Sequence, residues 1–497
     1  MKIVRVLTLA PNGLTAEPVM VEVAARPGLS ALTIVGLPGR TVAESKERVR
    51  LALRSLGVTL PATNIVINLA PAAVRKDGTH YDLPIAVALL MANGYLQPNT
   101  VPKNGYIFGE LGLDGSVRGV KNAVVLGHHI WSKQACCIVP AANAASLQVL
   151  GGLRYYSASS IATLVDGLKR GEVVYKVGAA PSSTDDTDQF IKLDDVIGQM
   201  VAKRAAVISA AGGHPLLLTG PPGVGKTMLA QVVHALQPAL TPSQRVEATL
   251  IHSAAGLLNN DQPLIHAPPW RAPHHTATVS AVVGTAHGYP GETALAHHGT
   301  LFLDELPLFS PAVIETLREP LQNGTVHVSR AGFNQTWPAQ FTMVAAANPC
   351  PCGYFGDEHK PCRCTLMQRQ NYQRRLSGPL LDRFGLHVRL NRSALQSKPI
   401  VGEHETWKGR VALARQRQDE RQGVVNNRVA DDLLRQMFTQ TEQQSAVDQL
   451  LGENSRSMRS ISQIMRVALT IADLECVPLK SCHIEEALFL VPQGLAF

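Results

Sequence analysis

Short apolar runs alternate with helical patterns over the first third of the chain. The runs at 32–35, 65–69 and 135–140 are too short for helices and predict strands. Apolar residues recur at helical spacing at 42–56 and at 83–92, which predicts two helices. Strands and helices mixed in this way indicate an α+β domain.

A second set of short apolar runs follows further along the chain, at 215–218, 300–303 and 341–347. Each predicts a buried strand, and the first is followed by a glycine-rich turn and helix-forming residues. Residues 324–341 alternate in polarity about a turn and predict a β-hairpin. From 402 onward helical periodicity prevails.

The two patterns are separated by small polar residues, VGAAPSSTDDTDQ at 177–189, which have the composition of a linker. The expected fold class is a multidomain α/β protein. Four segments are predicted: an α+β domain at 1–175, a linker at 176–190, a nucleotide-binding α/β core at 191–400 and a small helical domain at 401–497.

Length and composition narrow the class of protein. The 497 residues exceed one ordinary core, and no apolar run is long enough for a bilayer, so a cytoplasmic protein without membrane contact is expected. A formal charge of +8 favours a polyanionic partner. In the cytoplasm, clustered thiols among the eight cysteines indicate metal or redox chemistry.

The glycine-rich turn reads GPPGVGKT and fits the P-loop pattern G-x-x-x-x-G-K-[ST]. Its backbone N–H groups can surround phosphate oxygens, Lys226 can reach the β- and γ-phosphates, and the Thr227 hydroxyl can bind magnesium. A nucleoside triphosphate is the predicted ligand. The predicted binding residues are Gly220, Pro221, Pro222, Gly223, Val224, Gly225, Lys226 and Thr227.

The segment LDDVIGQ at 193–199 resembles the start of the AAA+ ATPase core, which implies ATP and Mg²⁺. The strand at 300–303 ends in Asp304 and Glu305, a Walker B pattern. Asp304 would hold magnesium through water, and Glu305 would polarise the attacking water. Asn348 matches the first sensor of the AAA+ family in position and residue type.

Four cysteines follow Asn348 in the pattern C-x-C-x₉-C-x-C, spanning residues 350–364. Four thiolates on one short loop can surround a zinc ion, and a closed structural zinc site is the favoured interpretation. Reduced thiols or a redox pair are the alternatives, and His359 could replace one thiol. The predicted zinc ligands are Cys350, Cys352, Cys362 and Cys364.

An arginine-rich run with interleaved Tyr372 and Phe384 comes next, and its density favours phosphate contact, of nucleotide or nucleic acid. The segment SGPLLDRFGLH resembles the arginine-finger segment of the magnesium-chelatase and MCM branch of AAA+ proteins. This resemblance implies that Arg383 reaches a neighbouring subunit's ATP in a ring, and it gives Arg459 the place of the second sensor. The run contains Arg369, Arg374, Arg375 and Arg383.

Two loop regions of the core are candidates for pore contacts. The hairpin at 324–341 places Arg330 and Phe333 near its turn, which suits a nucleic-acid backbone, although an ordinary exposed hairpin is the alternative. Residues 271–299 are rich in histidine, but the two histidine pairs are adjacent rather than at helical spacing, which favours loop or pore roles over metal binding.

Part of the first domain resembles the proteolytic domain of the Lon family. The resemblance rests on the segments at 70–86 and 109–124, and in that family a serine and a lysine form the catalytic dyad. Here Thr79 follows KDG where a serine would be needed, although Lys121 could take the lysine's place. A dyad without its nucleophile does not act, so a scaffold for assembly or partner binding is expected.

Across nearly its whole length the chain resembles the ComM (YifB) family of magnesium-chelatase-like AAA+ proteins. The motifs that carry this are IVGLPGR, GPPGVGKT, RAPHHT, LAHHGTLFLDELPLF, NPCPCG, KPCRCT and SGPLLDRF. The resemblance implies a hexameric, ATP-driven helicase acting in branch migration of single-stranded or branched DNA during natural transformation, with recombination proteins as partners.

Two other functions stay open. A chelatase-type subunit or a protein-remodelling ATPase would use the same motor, and a scaffold could use nucleotide as a switch. The basic charge and the arginine-rich run favour a DNA-acting motor over a chelatase-type or protein-remodelling ATPase. Intact Lys226, Glu305 and Arg383 favour a hydrolysing motor over a scaffold that uses nucleotide as a switch.

Overall fold

A computed structural model describes most of the chain. The chain divides into two compact units. The first unit comprises Met1–Thr184 and Pro242–Ile265, and the second comprises Asp185–Thr241 and His266–Phe497. The described residues are 3–61, 63–178, 190–258, 263–285, 288–330, 333–376, 378–392, 402–439 and 457–492.

A mixed eight-stranded sheet forms the first unit, in the order β10-β9-β8-β5-β1-β2-β4-β3. Alternation of apolar residues buries one face, since Ile65, Ile67 and Leu69 point inward along β4. A small β6-β7 hairpin is separate from this sheet. The strands are β1 (Ile3–Asn12), β2 (Thr15–Arg26), β3 (Ala31–Val35), β4 (Asn64–Ala70), β5 (Gly105–Ile107), β6 (Glu110–Leu111), β7 (Val117–Arg118), β8 (Cys136–Pro140), β9 (Arg154–Ala158) and β10 (Lys176–Val177).

The helices of the first unit include one that is apolar on all sides. Every residue of DLPIAVALLM at the start of α2 is buried, and this helix packs against β1 and β2. The amphipathic α1 instead buries only one stripe. The helices are α1 (Arg40–Ser55), α2 (Asp82–Ala92), α3 (Ala123–Ser132), α4 (Ala144–Leu147), α5 (Ile161–Arg170) and α8 (Pro242–Ala255), with a 3₁₀ turn at Ala141–Asn143.

Five parallel strands form the sheet of the second unit, in the order β12-β13-β16-β11-β17. The central strands β11, β13 and β16 are fully buried apolar runs, as a sheet covered on both faces requires. A two-stranded antiparallel hairpin, β14-β15, is separate. The strands are β11 (Leu216–Thr219), β12 (Trp270–Arg271), β13 (Thr300–Leu303), β14 (Thr325–Arg330), β15 (Phe333–Pro338), β16 (Thr342–Ala347) and β17 (Leu386–Arg389).

Helices of this unit share a core that joins the sheet to the C-terminal helices. Arg415 donates to the Ala210 carbonyl at 2.7 Å, and His214 contacts Thr470 at 2.7 Å. The helices are α6 (Met200–Gly212), α7 (Lys226–Ala235), α9 (Val279–Val283), α10 (Glu292–Leu295), α11 (Pro311–Thr316), α12 (Arg318–Asn323), α13 (Leu366–Gln373), α14 (Gly378–Leu381), α15 (Glu403–Gln422), α16 (Asp431–Thr439), α17 (Met458–Glu475) and α18 (Ser481–Leu490), with 3₁₀ turns at Leu193–Asp195, Leu306–Leu308 and Asn426–Arg428.

The multidomain α/β class predicted from the sequence is confirmed, and the predicted strands and the hairpin are present. Two details of the expected segments differ. Helix α8 lies within the predicted core at 191–400 but belongs to the first unit, and β10 lies within the predicted linker at 176–190 but pairs with β9. Residues 179–189 of that linker lie outside the described residues.

Among the helices described, none combines the length and the apolar character needed to cross a membrane.

Candidate nucleotide site and cysteine cluster

The P-loop residues 220–227 join the end of β11 to the start of α7. Gly225 has φ 92°, in the left-handed region that glycine adopts without strain, and α7 starts at the next residue. A Cβ at Gly220 would stand 2.7 Å from the Leu390 carbonyl oxygen. Both glycines are therefore required by the path of the backbone, which presents the N-terminus of α7 as phosphate sites of this type do.

Lys226 joins the ends of two neighbouring strands. Its Nζ donates to the carbonyl oxygens of Gly220 and Pro221 at 2.7 and 2.9 Å, and to Asn348 Oδ1 at 3.0 Å. Burial lowers the pKa of Lys226 to about 8, although the charges of Asp304 and Glu305 oppose that change. The lysine that would meet the phosphates thus loses its proton far more readily than an exposed lysine.

Asp304 and Glu305 follow directly after β13, at the same edge of the sheet. Asp304 is exposed, and its Oδ1 accepts a hydrogen bond from the Glu305 amide at 2.9 Å. Glu305 has φ 53°, a left-handed conformation that costs a non-glycine residue about 1 kcal/mol or more.

Thr227 lies exposed in the first turn of α7. Its hydroxyl and the Asp304 carboxylate are hard oxygen donors, the type that Mg²⁺ prefers. The residues present therefore fit the predicted magnesium site.

The two histidine pairs that the sequence assigned to loop or pore roles are His274–His275 and His297–His298, and the nearness of His275 to Glu305 was not predicted. His275 Nδ1 lies 3.9 Å from Glu305 Oε2, and both side chains are partly exposed. The signal was the RAPHHT segment, which follows β12 beside the Walker B strand. The other histidine pair includes a structural residue, because the buried His297 accepts a hydrogen bond from the Gln340 amide at 2.9 Å.

A cavity of about 580 Å³ adjoins Glu305 and Asn348. Tyr372, which is buried, borders it, and burial with the nearby Glu305 charge raises the pKa of Tyr372 to about 12. The cavity is therefore lined both by residues that follow β13 and β16 and by two members of the cysteine cluster. Its lining is Glu305, Leu308, Asn348, Pro351, Cys352, Arg363, Cys364, Gln368, Asn371, Tyr372 and Arg375.

The four cysteines predicted as zinc ligands lie together. The Sγ atoms of Cys350 and Cys352 are 3.3 Å apart, and each is 3.6 Å from Cys362 Sγ. With Cys364, all four sulfurs lie within 4.8 Å of one another, and none forms a disulfide. Zinc–sulfur bonds of about 2.3 Å give sulfur–sulfur separations of about 3.8 Å in a tetrahedron, so the donor set fits zinc.

The alternative zinc ligand His359 is exposed, and its Nδ1 lies 4.0 Å from Asp357 Oδ1. In the described part of the chain, His359 is not a member of the sulfur cluster. The four thiols are thus the better donor set.

The two arginines predicted to complete the site lie near each other. Arg383 follows α14 and donates from Nη2 to Gln322 Oε1 at 2.7 Å. Burial, then the charges of Arg459 and Arg318, lower the pKa of Arg383. Arg459 is exposed on α17. Arg383 and Arg459 thus lie near enough for their charges to interact.

The remaining predicted contacts with nucleic acid are partly described. Arg369 stacks over Phe355 at 4.4 Å, and Arg374 and Arg375 are exposed. The side chains of Arg330 and Phe333 and the turn between them lie outside the described residues.

The first unit contains the residues that resemble the Lon dyad. Thr79 donates its hydroxyl hydrogen to Glu110, and the aliphatic part of Lys121 lies beside Gly256. The buried Lys76 of the KDG segment donates to the Pro71 carbonyl. The Thr79 hydroxyl is therefore paired with a carboxylate, not with the lysine.

Comparisons with known proteins first define a class. The family model described as magnesium chelatase, subunit ChlI, matches residues 192–398. Two further models, for subunit ChlI of Mg-chelatase and for the ChlI C-terminal region, match residues 21–143 and 403–490. The chain is thus built throughout like magnesium-chelatase ChlI subunits.

Individual relatives narrow that class. YifB of Escherichia coli is 40% identical over 479 residues, covering 94% of this chain and 92% of the relative. The competence protein ComM of Haemophilus influenzae is 35% identical, covering 96% of this chain and 94% of the relative. The magnesium-chelatase 38 kDa subunit of Cereibacter sphaeroides is 26% identical over 39% of this chain. The chain belongs to the ComM/YifB family of magnesium-chelatase-like proteins.

The lowered pKa of Lys226 predicts weaker nucleotide binding as the pH rises. Above about pH 8 the unbound lysine loses its proton, and binding of phosphate must restore it, so affinity for a fluorescent ATP analogue should fall about tenfold between about pH 7 and about pH 9. Titrations at each pH measure this. The Lys226→Arg variant should show a flat profile, because guanidinium stays charged. Constant wild-type affinity over this range would contradict the prediction.

The sulfur geometry predicts about one zinc per chain. Elemental analysis of the purified full chain should show it, and the Cys362→Ser variant should lose most of it. The matched control is Cys482→Ser, a substitution at an exposed cysteine of α18, which should keep the metal. Equal metal in wild type and Cys362→Ser would count against the site.

Proposed function

We propose that this protein is an ATP-hydrolysing AAA+ motor that acts on DNA. The observation that carries the proposal is the convergence of Lys226, Asn348, Asp304 and Glu305 at the carboxyl edge of one parallel sheet. Ligands of open α/β sheets bind at this edge. The family relation to a competence protein supports a role in the uptake or recombination of DNA.

Each residue has a chemical role in this proposal. Lys226 gives up its contacts with backbone carbonyls and donates to the triphosphate, where its charge offsets that of the phosphates. Glu305 accepts a proton from the attacking water, and Asn348 orients that water toward the γ-phosphate. Thr227 and Asp304 would hold Mg²⁺, which supplies further neutralisation of phosphate charge when it is bound.

His275 has a place in this scheme as a neighbour of the general base. At 3.9 Å from Glu305 Oε2, beyond hydrogen-bond distance, its ring borders the carboxylate that is proposed to activate water.

We infer a homo-oligomer, a hexameric ring, in which Arg383 completes the neighbouring subunit's site and Arg459 closes it from a lid of C-terminal helices. The support is the resemblance of the segment around Arg383 to an arginine-finger segment, together with the nearness of Arg383 and Arg459 to each other. Charge stabilisation by an arginine supplied in trans is an established device in phosphoryl transfer.

We propose that ATP hydrolysis drives helicase movement and branch migration on single-stranded or branched DNA. The proposed setting is natural transformation and homologous recombination in the cytoplasm, with recombination proteins as partners. The first unit is proposed to be a Lon-protease-like scaffold without peptidase activity, in keeping with the pairing of Thr79 with Glu110. Exposed Arg374 and Arg375 suit the phosphate backbone.

The second candidate is a chelatase-type or protein-remodelling ATPase subunit. The matches to magnesium-chelatase subunit models favour it. Both candidate functions require ATP hydrolysis, but they differ in the substrate that would stimulate it.

DNA should stimulate ATP hydrolysis, because a motor couples turnover to its track. Steady-state hydrolysis by the full chain is measured with and without single-stranded and forked DNA, and a severalfold increase is expected that weakens as salt is raised. A rate that ignores both DNAs would reject the DNA motor and favour the chelatase-type or protein-remodelling candidate.

Glu305→Gln should lower the turnover number about a hundredfold or more, since the amide cannot accept the proton. Binding of a fluorescent ATP analogue should persist, because the phosphate contacts remain. The control is Glu485→Gln, an exposed carboxylate on α18 that should hydrolyse ATP like the wild type. Unchanged hydrolysis in Glu305→Gln would refute its role as the base.

A further inference from the structure

The segment that carries the four cysteines, residues 350–364, contacts the candidate nucleotide site at several points. We propose that a metal ion held by Cys350, Cys352, Cys362 and Cys364 braces the P-loop, so that affinity for ATP depends on whether the cysteine site is loaded. The proposal rests on nucleotide binding from the proposed function, and it requires neither hydrolysis nor DNA.

The first connection is along the chain. Asn348, whose amide oxygen accepts from Lys226 at 3.0 Å, is separated by one residue from Cys350, which is completely buried. β16 ends just before this pair. The position of the first metal ligand therefore constrains the residue that contacts the P-loop lysine.

The second connection is a tight turn packed on the P-loop. The Gly353 amide donates to the Cys350 carbonyl at 2.9 Å, closing a turn that includes Cys352. Gly353 has φ 85°, and a Cβ there would stand 2.8 Å from Pro222 Cδ. The turn formed by the first two ligands thus lies in close contact with the phosphate-binding loop.

The third connection is a polar bridge. Asp357, whose side chain is only 1% exposed, accepts hydrogen bonds from the His359 and Lys360 amides at 2.8 and 3.1 Å. Arg392 Nε lies 3.4 Å from the same carboxylate, and Arg392 Nη2 donates to the Pro222 carbonyl at 3.4 Å. Arg392 therefore links the middle of the cysteine segment to the P-loop.

The second pair of cysteines leads to the other side of the site. The Cys364 amide donates to Cys362 Sγ at 3.4 Å, and Thr365 then caps α13 by accepting from the Gln368 amide at 3.3 Å. This helix carries the buried Tyr372 to the cavity that Glu305 also lines. Both halves of the cysteine cluster thus border residues assigned to ATP hydrolysis.

A metal ion bound by the four thiolates would keep these contacts in place. The described part of residues 350–364 contains no strand or helix, so few backbone hydrogen bonds hold its shape. Sulfurs 3.3–3.6 Å apart cannot all be thiolates without a cation between them, because like charges repel at that distance. Without metal the cluster should open, and the Gly353 and Arg392 contacts with Pro222 should loosen. Loss of such preorganisation weakens binding.

Metal removal from the full chain tests the proposal. The protein is treated with a strong chelator, and zinc content, circular dichroism and affinity for a fluorescent ATP analogue are measured before and after. Affinity should fall about tenfold on stripping and return when zinc is added back. Cys364→Ser should lose both metal and affinity, whereas Cys482→Ser should keep both. The proposal would be overturned if stripping left the circular dichroism unchanged and the stripped protein bound the ATP analogue as tightly as the loaded protein.

A second variant separates the brace from the metal site itself. Arg392→Gln removes the link to Pro222 and leaves the four thiols, so zinc content should stay as in wild type while affinity falls about three- to tenfold. The control is Arg410→Gln, at an exposed arginine of α15 that stacks on Trp407.

The remaining outcomes are also decisive. If stripping unfolds the protein, the Arg392→Gln comparison decides, and wild-type affinity in that variant would overturn the proposal. Purified chain without metal would overturn it as well. If loaded wild-type protein binds no nucleotide, the proposed function fails first. A protein that binds ATP in a metal-dependent manner but ignores DNA would support the brace while rejecting the DNA motor.

Discussion

The hydrogen bond between Lys226 Nζ and Asn348 Oδ1 is the contact on which the candidate site depends. It joins the ends of β11 and β16, which pair in parallel along the whole of β11. Parallel strands end at one edge of a sheet, so loops with no sequence relation to each other meet there. Because the lysine is half-buried, it needs these acceptors, and burial makes its charge sensitive to what occupies the site.

The local parts of this arrangement could be predicted from the sequence, because each is encoded in a short run. Buried strands of four to six residues precede Gly220, Asp304 and Asn348, and the chemistry of each residue type follows from its neighbours. The clustering of four cysteines could be predicted for the same reason, since a turn and a loop bring them together within a few residues.

Contacts between distant segments could not be predicted in this way. His275 approaches Glu305 because β12 pairs with β13, and Arg392 reaches Pro222 because β17 pairs with β11, a strand order that no local pattern contains. Helix α8 shows the same limit, since its periodicity predicts a helix but not the unit with which it packs. These features depend on the order of the strands in the sheet, which short sequence patterns do not encode.

Edge strands explain why the site has two kinds of residue. The groups on β11, β13 and β16 are held by a buried sheet and cannot move far relative to one another. Arg392 and His275 approach from the two edge strands, through partly exposed side chains whose contacts can form and break at small cost. A rigid phosphate-binding edge bounded by adjustable contacts can respond to a metal, a nucleotide or a neighbouring subunit without disturbing the sheet. This division favours control of ATP affinity from the periphery over control through the core.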